Sequence, residues 1–231
     1  MLSAAALDRF YGLIARLRVL PGQGRALGDC TARDRWPDRG VYFFTEPGEF
    51  RRGNDSPRIV RVGTHAVSTG SKATLWSRLR AHRGTASSGG NHRGSIFRLH
   101  VGDAIARRDQ LVIPTWGRKS SASRAIRELE KPHERRVSEY LAAMSVMWVA
   151  APDDAGPRSD RSAIERGTVA LLSNQLSPID RPSTNWLGAL NPHEEIQRSG
   201  LWNLKYVQDE VQLDFLDVLE SAVVQMEAEV S

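Results

Sequence analysis

The chain has 231 residues, of which 40% are hydrophobic and 26% charged, so its composition is that of a globular chain and excludes disordered and fibrous classes. The net charge is +5, and the basic residues are twenty-eight arginines and only four lysines. An arginine-rich surface suits a polyanionic partner, although a GC-rich genome also favours arginine over lysine. The single Cys30 excludes an internal disulfide, and no apolar run could span a bilayer, so we expect a cytoplasmic protein without a membrane partner.

Apolar periodicity, turn residues and β-branched runs predict helices and three strands along the chain. In chain order they are a helix over 4–17, strands over 40–45 and 59–62, a helix over 74–83, helices over 96–107 and 128–143, a strand over 144–151, and helices over 162–173 and 211–229. Pro132 predicts that the fourth of these helices begins near that residue. The pattern indicates an α/β fold in which helices pack on a small sheet.

Charge is unevenly distributed along the chain. Residues 51–140 carry 19 basic and 7 acidic side chains, whereas residues 201–231 carry 1 basic and 7 acidic. A basic middle followed by an acidic end favours one face adapted to a polyanion.

Tyr42 lies in the first predicted strand, where alternation places Tyr42 and Phe44 on one face and Val41 and Phe43 on the other. Among residues 41–44 only Tyr42 carries a polar group, and a buried tyrosine hydroxyl usually has a hydrogen-bond partner. An ordinary core tyrosine is the alternative.

Arg78 and His82 are four residues apart on the predicted helix 74–83 and therefore project from the same side. That side borders the apolar stripe of Leu75 and Leu79, so both groups should face the body of the protein. A guanidinium stabilises charge on a phosphate under attack, and an imidazole relays protons near neutral pH. A surface arginine beside a half-buried histidine is the alternative.

Glu165 shares a helix side with Val169 and Leu172, so its carboxylate should lean toward the edge of the core. A carboxylate there could hold one Mg²⁺ together with waters. The alternative is structural, because Ser162 and Glu165 have the spacing of a capping box that would close the start of the helix.

The order and types of these residues resemble those of the GIY-YIG nuclease family, over roughly residues 40–190. The first family motif corresponds to Gly40-Val41-Tyr42 and the second to Arg61-Val62-Gly63. The helix arginine corresponds to Arg78, the residue four positions later to His82, and the metal-binding glutamate to Glu165. The Arg-x-x-x-His pattern is most similar to the restriction-endonuclease-like branch.

The resemblance also implies a late asparagine, which corresponds to Asn185 in Pro182-Ser-Thr-Asn185, with Asn174 as its rival. It implies a small three-stranded antiparallel sheet flanked by helices, with a nuclease core over 37–192. Residues 1–36 and 193–231 would then be N-terminal and C-terminal helical extensions.

The resemblance implies metal-dependent hydrolysis of phosphodiester bonds in DNA, with RNA not excluded as substrate. Tyr42 and His82 would activate the attacking water, Arg78 would stabilise the transition state, and Glu165 would bind Mg²⁺, with Mn²⁺ as a substitute. Asn185 would orient its neighbours. Arg61 replaces the usual tyrosine of the second motif, which adds a cation for phosphate or signals altered or lost activity.

Substrate contacts are predicted around the Gly- and Ser-rich stretch after the helix arginine, whose small residues would let the backbone approach phosphate. The candidate substrate-binding residues are His65, Arg83, His92 and Arg93. Further cations could extend this surface: Arg51, Arg52, Arg107, Arg108, Arg118 and Lys119.

Three functions remain open on the sequence. The leading one is a GIY-YIG endonuclease, which could cut both strands as a homodimer. The second is a nucleic-acid-binding module of the same fold that has lost cleavage. The third is an unrelated α/β protein, in which Tyr42, Arg78, His82 and Glu165 would not meet around one groove.

Overall fold

A four-stranded antiparallel sheet forms the centre of the computed structural model, which describes residues 2–53, 55–66, 71–154, 156 and 159–230. The strands are β1 (Arg25–Ala26), β2 (Gly40–Phe50), β3 (Pro57–Gly63) and β4 (Ser145–Ala150), and their order in the sheet is β1-β4-β2-β3. The expectation of three strands was one short. The additional β1 has only two residues, which is too few to show an alternating pattern in the sequence.

Seven α-helices accompany the sheet in the described residues. They are α1 (Leu2–Arg18), α2 (Leu75–Arg83), α3 (Ile96–Arg108), α4 (Arg124–Ala143), α5 (Asp160–Leu172), α6 (Glu194–Ser199) and α7 (Phe215–Ala228). Helix α4 does not begin near Pro132. It begins two turns earlier, after the N-cap Ser123, and contains the proline. The short α6 was not predicted.

The sheet separates two hydrophobic layers. Helices α1, α5 and α7 cover one face together with Val41 and Phe43, while α2, α3 and α4 cover the other together with Tyr42 and Phe44. The predicted alternation along β2 is therefore confirmed. All four of these side chains are fully buried, so β2 contributes to the hydrophobic layer on each face of the sheet.

The register between β2 and β3 brings the two glycine-containing motifs side by side. Tyr42 pairs with Gly63 and Phe44 pairs with Arg61, whereas the next pair joins Thr45 to Ile59. Val60 is therefore the extra residue of a β-bulge. Before the bulge the pairing is regular, and because Arg61 pairs with Phe44 it lies on the same face as Tyr42.

The outer edge of β3 is closed by an irregular segment rather than by a fifth strand. The Trp202 amide donates to the Val60 carbonyl at 2.8 Å. The Asn203 side chain accepts from the Val62 amide at 3.2 Å and donates to the Val62 carbonyl at 2.9 Å. These bonds satisfy backbone groups that an edge strand would otherwise expose.

The terminal helices pack onto the central sheet. Helix α1 contributes Phe10 and Leu17 to the first hydrophobic layer, and α7 contributes Leu219 to the same layer. Ion pairs from Arg9 to Asp217 and from Arg16 to Glu227 join the two helices at their exposed sides. The predicted extensions therefore share a core with the central segment. None of the described helices combines the length and the apolar character that a membrane span requires.

Candidate active site

The two glycines of the motifs are required by close packing across the sheet. A Cβ at Gly63 would overlap the Tyr42 hydroxyl, and a Cβ at Gly40 would overlap the Val149 carbonyl. The Thr64 hydroxyl donates to the Gly40 carbonyl at 2.9 Å and so ties the two motifs together. The phenol of Tyr42 therefore lies directly over the backbone of the second motif.

A chain of hydrogen bonds joins β2, α2 and the start of α3. The Tyr42 Oη lies 2.8 Å from His82 Nε2, and His82 Nδ1 lies 2.7 Å from the Ser95 Oγ. Ser95 is the N-cap of α3, where its hydroxyl accepts from the Arg98 amide at 3.3 Å. The α3 cap thus holds the imidazole against the phenol.

His82 is held in its neutral form. Burial lowers the pKa of His82 well below its usual value, and the positive charges of Arg78, Arg61 and Arg98 lower it further. A neutral imidazole has one donor and one acceptor nitrogen, and Tyr42 and Ser95 occupy both. A hydrogen bond therefore joins the imidazole directly to the phenol of Tyr42.

The Gly-rich loop after α2 packs around a buried arginine. At its most tightly packed positions, Gly89 and Gly90, the backbone of the loop faces the protein interior. The Arg98 guanidinium is fully buried, pairs with Glu134 and donates to the His82 carbonyl at 2.8 Å. A Cβ at Gly90 would overlap this guanidinium, and one at Gly89 would press against Glu134. Close packing inside the fold therefore accounts for these glycines.

Glu165 is not part of a helix cap. The N-cap of α5 is Ser159, whose hydroxyl accepts from the Ser162 amide at 3.3 Å, and the helix begins at Asp160. Glu165 lies more than one turn inside the helix, so the capping-box alternative with Ser162 is excluded.

The Glu165 carboxylate is half-buried and lies among cations. Burial raises its pKa, while Arg61, the Thr64 amide, Lys205 and Arg78 oppose that rise by favouring the ionised form. It makes no ion pair within the described part of the chain. A carboxylate that is desolvated, surrounded by positive charge and free of a salt bridge is typical of a functional site.

Arg61 and Arg78 complete this cluster from two directions. Arg61 is buried on β3, where it donates to the Trp202 carbonyl at 2.6 Å and lies 5.3 Å from the centre of the Phe97 ring. Arg78 is half-buried, and its guanidinium makes no hydrogen bond within the described ranges. A cavity of about 350 Å³ opens beside Arg78 and is also lined by Lys119.

The two asparagines predicted for the site lie elsewhere. Asn185 is exposed and precedes Trp186, whose indole donates to Glu46 at 3.2 Å, toward the far end of β2. Asn174 is buried after α5, where its amide bonds the backbone of Asp180 and Ser199.

Asn203 is linked to the cluster by hydrogen bonds, since its side chain bonds the backbone of Val62, the middle residue of the second motif. Sequence analysis missed both Asn203 and Lys205. Their only sequence signal is a lone lysine in an otherwise acidic segment, with an asparagine two residues before it.

The four candidate substrate-binding residues are already engaged inside the fold. Arg93 forms a two-point ion pair with Glu130 at 2.6 and 2.8 Å. His92 is buried, with Nδ1 3.0 Å from Glu134, while Nε2 accepts from the Gly117 amide at 3.2 Å. Both residues also line the cavity beside Arg78, while these bonds hold their side chains to the surrounding fold.

The other two candidates are also bonded within the fold. Arg83 donates to the Cys30 carbonyl and lies over the Trp76 ring. His65 is buried, with Nε2 3.0 Å from the Asp38 carbonyl. Burial lowers the pKa of His65, and the nearby charges of Arg161 and Arg78 lower it further.

The residues present fit one divalent cation held by a single protein carboxylate. No group of three or more histidine, cysteine or acidic side chains able to hold a metal is found among the described residues. Glu165 offers hard oxygen ligands without a competing ion pair, which suits Mg²⁺ because this ion keeps several waters and shares its shell with substrate phosphate.

The model of the GIY-YIG domain family matches residues 1–229. This chain belongs to the GIY-YIG family. No curated protein and no solved structure matches it significantly. GIY-YIG domains are nuclease domains, so family membership indicates a nuclease-type hydrolase with a nucleic-acid substrate.

Proposed function

We propose that this GIY-YIG protein is a metal-dependent endonuclease that hydrolyses phosphodiester bonds in DNA. One observation carries the proposal: the Tyr42–His82 hydrogen bond and the Glu165 carboxylate share the same neighbouring cations, Arg61 and Arg78. These groups come from four separate elements, and an unrelated fold has no reason to assemble them.

Tyr42 would position and deprotonate the attacking water. Neutral His82 accepts the phenolic proton, and Ser95 fixes the imidazole that must do so. Arg78 would bind the phosphate oxygens on which negative charge develops, since its guanidinium is free of partners within the described residues.

Glu165 would hold Mg²⁺, with Mn²⁺ as a substitute. Bound there, the cation would supply Lewis-acid stabilisation of the phosphate and the leaving oxygen. Burial raises the pKa of Glu165, and the positive charges of Arg61, Lys205 and Arg78 oppose that rise and so favour the ionised carboxylate that a cation requires.

Arg61 would replace the usual tyrosine with a buried positive charge. It lowers the pKa of His82 and opposes the rise in the pKa of Glu165, so it acts on both halves of the site. Asn203 would orient the second motif in the role expected of Asn185, because it holds the Val62 backbone next to Arg61.

The finer assignments complete the proposal. Arg78 and His82 have the spacing of the restriction-endonuclease-like branch, and cutting both strands would require a homodimer or two binding events. Duplex DNA in the cytoplasm is the proposed substrate, and RNA serves as a comparison in the assay.

A second candidate is a nucleic-acid-binding module that has lost cleavage, which the substitution of Arg61 for tyrosine favours. The intact hydrogen bond between Tyr42 and His82 and the unpaired Glu165 favour cleavage instead.

A cleavage assay separates the two candidates. The purified full chain is incubated with supercoiled plasmid, single-stranded DNA, duplex DNA and RNA in Mg²⁺, Mn²⁺ or EDTA. We expect plasmid nicking that requires the metal and falls by about 10²- to 10⁴-fold in Glu165→Ala.

Glu139→Ala is the matched control, because this glutamate is exposed on α4 and makes no contact with the cluster. Nicking by Glu165→Ala at the parent rate would refute the roles proposed here. Binding without cleavage in either metal would favour the second candidate.

A further inference from the structure

A second basic cavity lies at the opposite end of β3 from the catalytic cluster. Its volume is about 530 Å³. Three arginines line it, Arg52, Arg181 and Arg198, with the amides of Asn174, Gln175 and Gln197 between them. None of the described residues lining it is acidic.

The three guanidinium groups of this cavity are available to a ligand. All three arginines are exposed. Arg198 makes only a 3.9 Å contact with Glu194 across a solvent-exposed pair, which contributes little. Arg52 and Arg181 make no side-chain hydrogen bond within the described part of the chain.

The neighbouring arginines outside the cavity are, by contrast, paired with carboxylates. Arg58 is fully buried and pairs with Glu49 at 2.9 Å, and Arg51 contacts Asp8 at 3.0 Å. Glu49 and Asp8 are thus engaged by Arg58 and Arg51, and in the described residues only the exposed, 3.9 Å contact of Arg198 with Glu194 offsets the positive charge of the cavity.

The cavity and the catalytic cluster are joined by one edge of the sheet. Gly200 lies against Asn174 and Pro182 at the cavity, and its carbonyl accepts from Arg58 at 2.7 Å. From Gly200 the chain runs alongside β3, where Trp202 bonds Val60 and Asn203 bonds Val62. It then reaches Lys205, whose charge acts on Glu165.

The length of β3 gives the approximate separation of the two sites. Arg58 and Gly63 are five residues apart on β3, which corresponds to at most about 17 Å of extended chain, since the bulge at Val60 shortens the strand. Along B-DNA this distance spans about five base pairs, or roughly half a helical turn.

We propose that the cavity lined by Arg52, Arg181 and Arg198 is a second phosphate-binding site, which holds the backbone of duplex DNA about half a turn from the bond that is cut. The inference rests on the proposed function, because it concerns how the same substrate is held. Contacts to phosphate at this distance fix the register of the duplex on the protein without reading its sequence.

The test compares the triple variant Arg52→Ala/Arg181→Ala/Arg198→Ala with a control of equal charge change. The control is Arg18→Ala/Arg33→Ala/Arg35→Ala, since these exposed arginines lie near β1, at the other edge of the sheet. Binding to a duplex of about 30 base pairs is measured by fluorescence anisotropy in EDTA over a range of salt concentrations.

The triple variant should bind about 10- to 100-fold more weakly than the parent at about 0.15 M salt. Its plot of log Kd against log salt should be shallower by about 2 to 3, because each lost phosphate contact removes about 0.9 from the slope. In the nicking assay KM should rise while kcat at saturating DNA stays unchanged. The Arg→Lys version of the same triple should recover most of the affinity.

Equal loss in the triple variant and in its control would overturn the inference, because it would show a general effect of charge. So would an unchanged salt slope accompanied by tight binding of inorganic phosphate, which would indicate a small-anion site. If the parent itself neither binds nor cuts DNA, the proposed function fails first. If the parent does both and the triple variant matches it, the second site alone is wrong.

Discussion

The Tyr42 hydroxyl and the His82 Nε2 lie 2.8 Å apart in a part of the core where neither residue is exposed to solvent. The two residues come from β2 and α2, and their pairing depends on the absence of a side chain at Gly63. Under the proposed mechanism this hydrogen-bonded pair would activate the attacking water.

Tyr42→Phe is expected to lower kcat for plasmid nicking by about 10²- to 10⁴-fold with little change in duplex binding. The reason is that the substitution removes only the hydroxyl and keeps the ring in the core. Tyr11→Phe is the control, since it also removes a buried hydroxyl. The Tyr11 hydroxyl donates to Asp180 over 2.5 Å, and this bond lies away from the cluster. That control should cost about 1–3 kcal/mol of stability, because the Asp180 carboxylate and the Ile59 amide both lose this partner, and it should leave kcat unchanged.

Ser95→Ala is expected to lower kcat by about tenfold and to alter the pH dependence of nicking, because His82 loses the group that fixes its ring. Loss of the α3 cap alone should cost about 1 kcal/mol. Ser123→Ala removes the equivalent cap of α4 and separates the two effects. If both variants change the pH profile alike, Ser95 acts only as a cap.

Glu165→Gln is expected to abolish nicking and to raise the melting temperature at pH 7 by a few degrees. Burial raises the pKa of Glu165, so the folded state binds its proton more tightly than the unfolded state does. The carboxyl therefore destabilises the fold above its raised pKa, and this penalty disappears below its ordinary value near 4.5. Thermal melts at pH 4 and pH 7 should show the gain only at pH 7.

Lys205→Ala is expected to move the acid limb of the pH–rate profile to higher pH. Lys205 is one of the cations that oppose the rise in the pKa of Glu165, so its removal lets that pKa rise further. The ionised carboxylate is then reached only at higher pH. Lys131→Ala is the control, since Lys131 pairs with Glu128 on α4, and it should leave the limb in place.

Gly63→Ala is expected to destabilise the protein by about 1–3 kcal/mol and to reduce nicking, because the new methyl group would overlap the Tyr42 ring. Gly12→Ala is the matched substitution on α1, where a Cβ would meet no atom within 4 Å. Denaturant unfolding should show Gly12→Ala to be as stable as the parent or more so, because alanine favours helix.

The sequence alone predicted the parts of the site that depend on local periodicity. Alternation placed Tyr42 on the correct face of β2, and the four-residue spacing placed Arg78 and His82 on one side of α2. These relationships are set by the geometry of a single strand or helix, so they can be derived without knowing what packs against it. Strand β1 illustrates the opposite case, since this two-residue strand exists only because β4 pairs with it.

Only the tertiary structure decided which charged and polar groups are free. Arg93 and His92 face Glu130 and Glu134 of α4, about forty residues away, and these carboxylates engage them inside the fold. Asn203 and Lys205 reach the site because their segment completes the edge of β3, although nearly forty residues separate them from Glu165. A side chain's identity fixes which bonds it can make, but its partner is set by long-range packing, and no spacing along the chain records that.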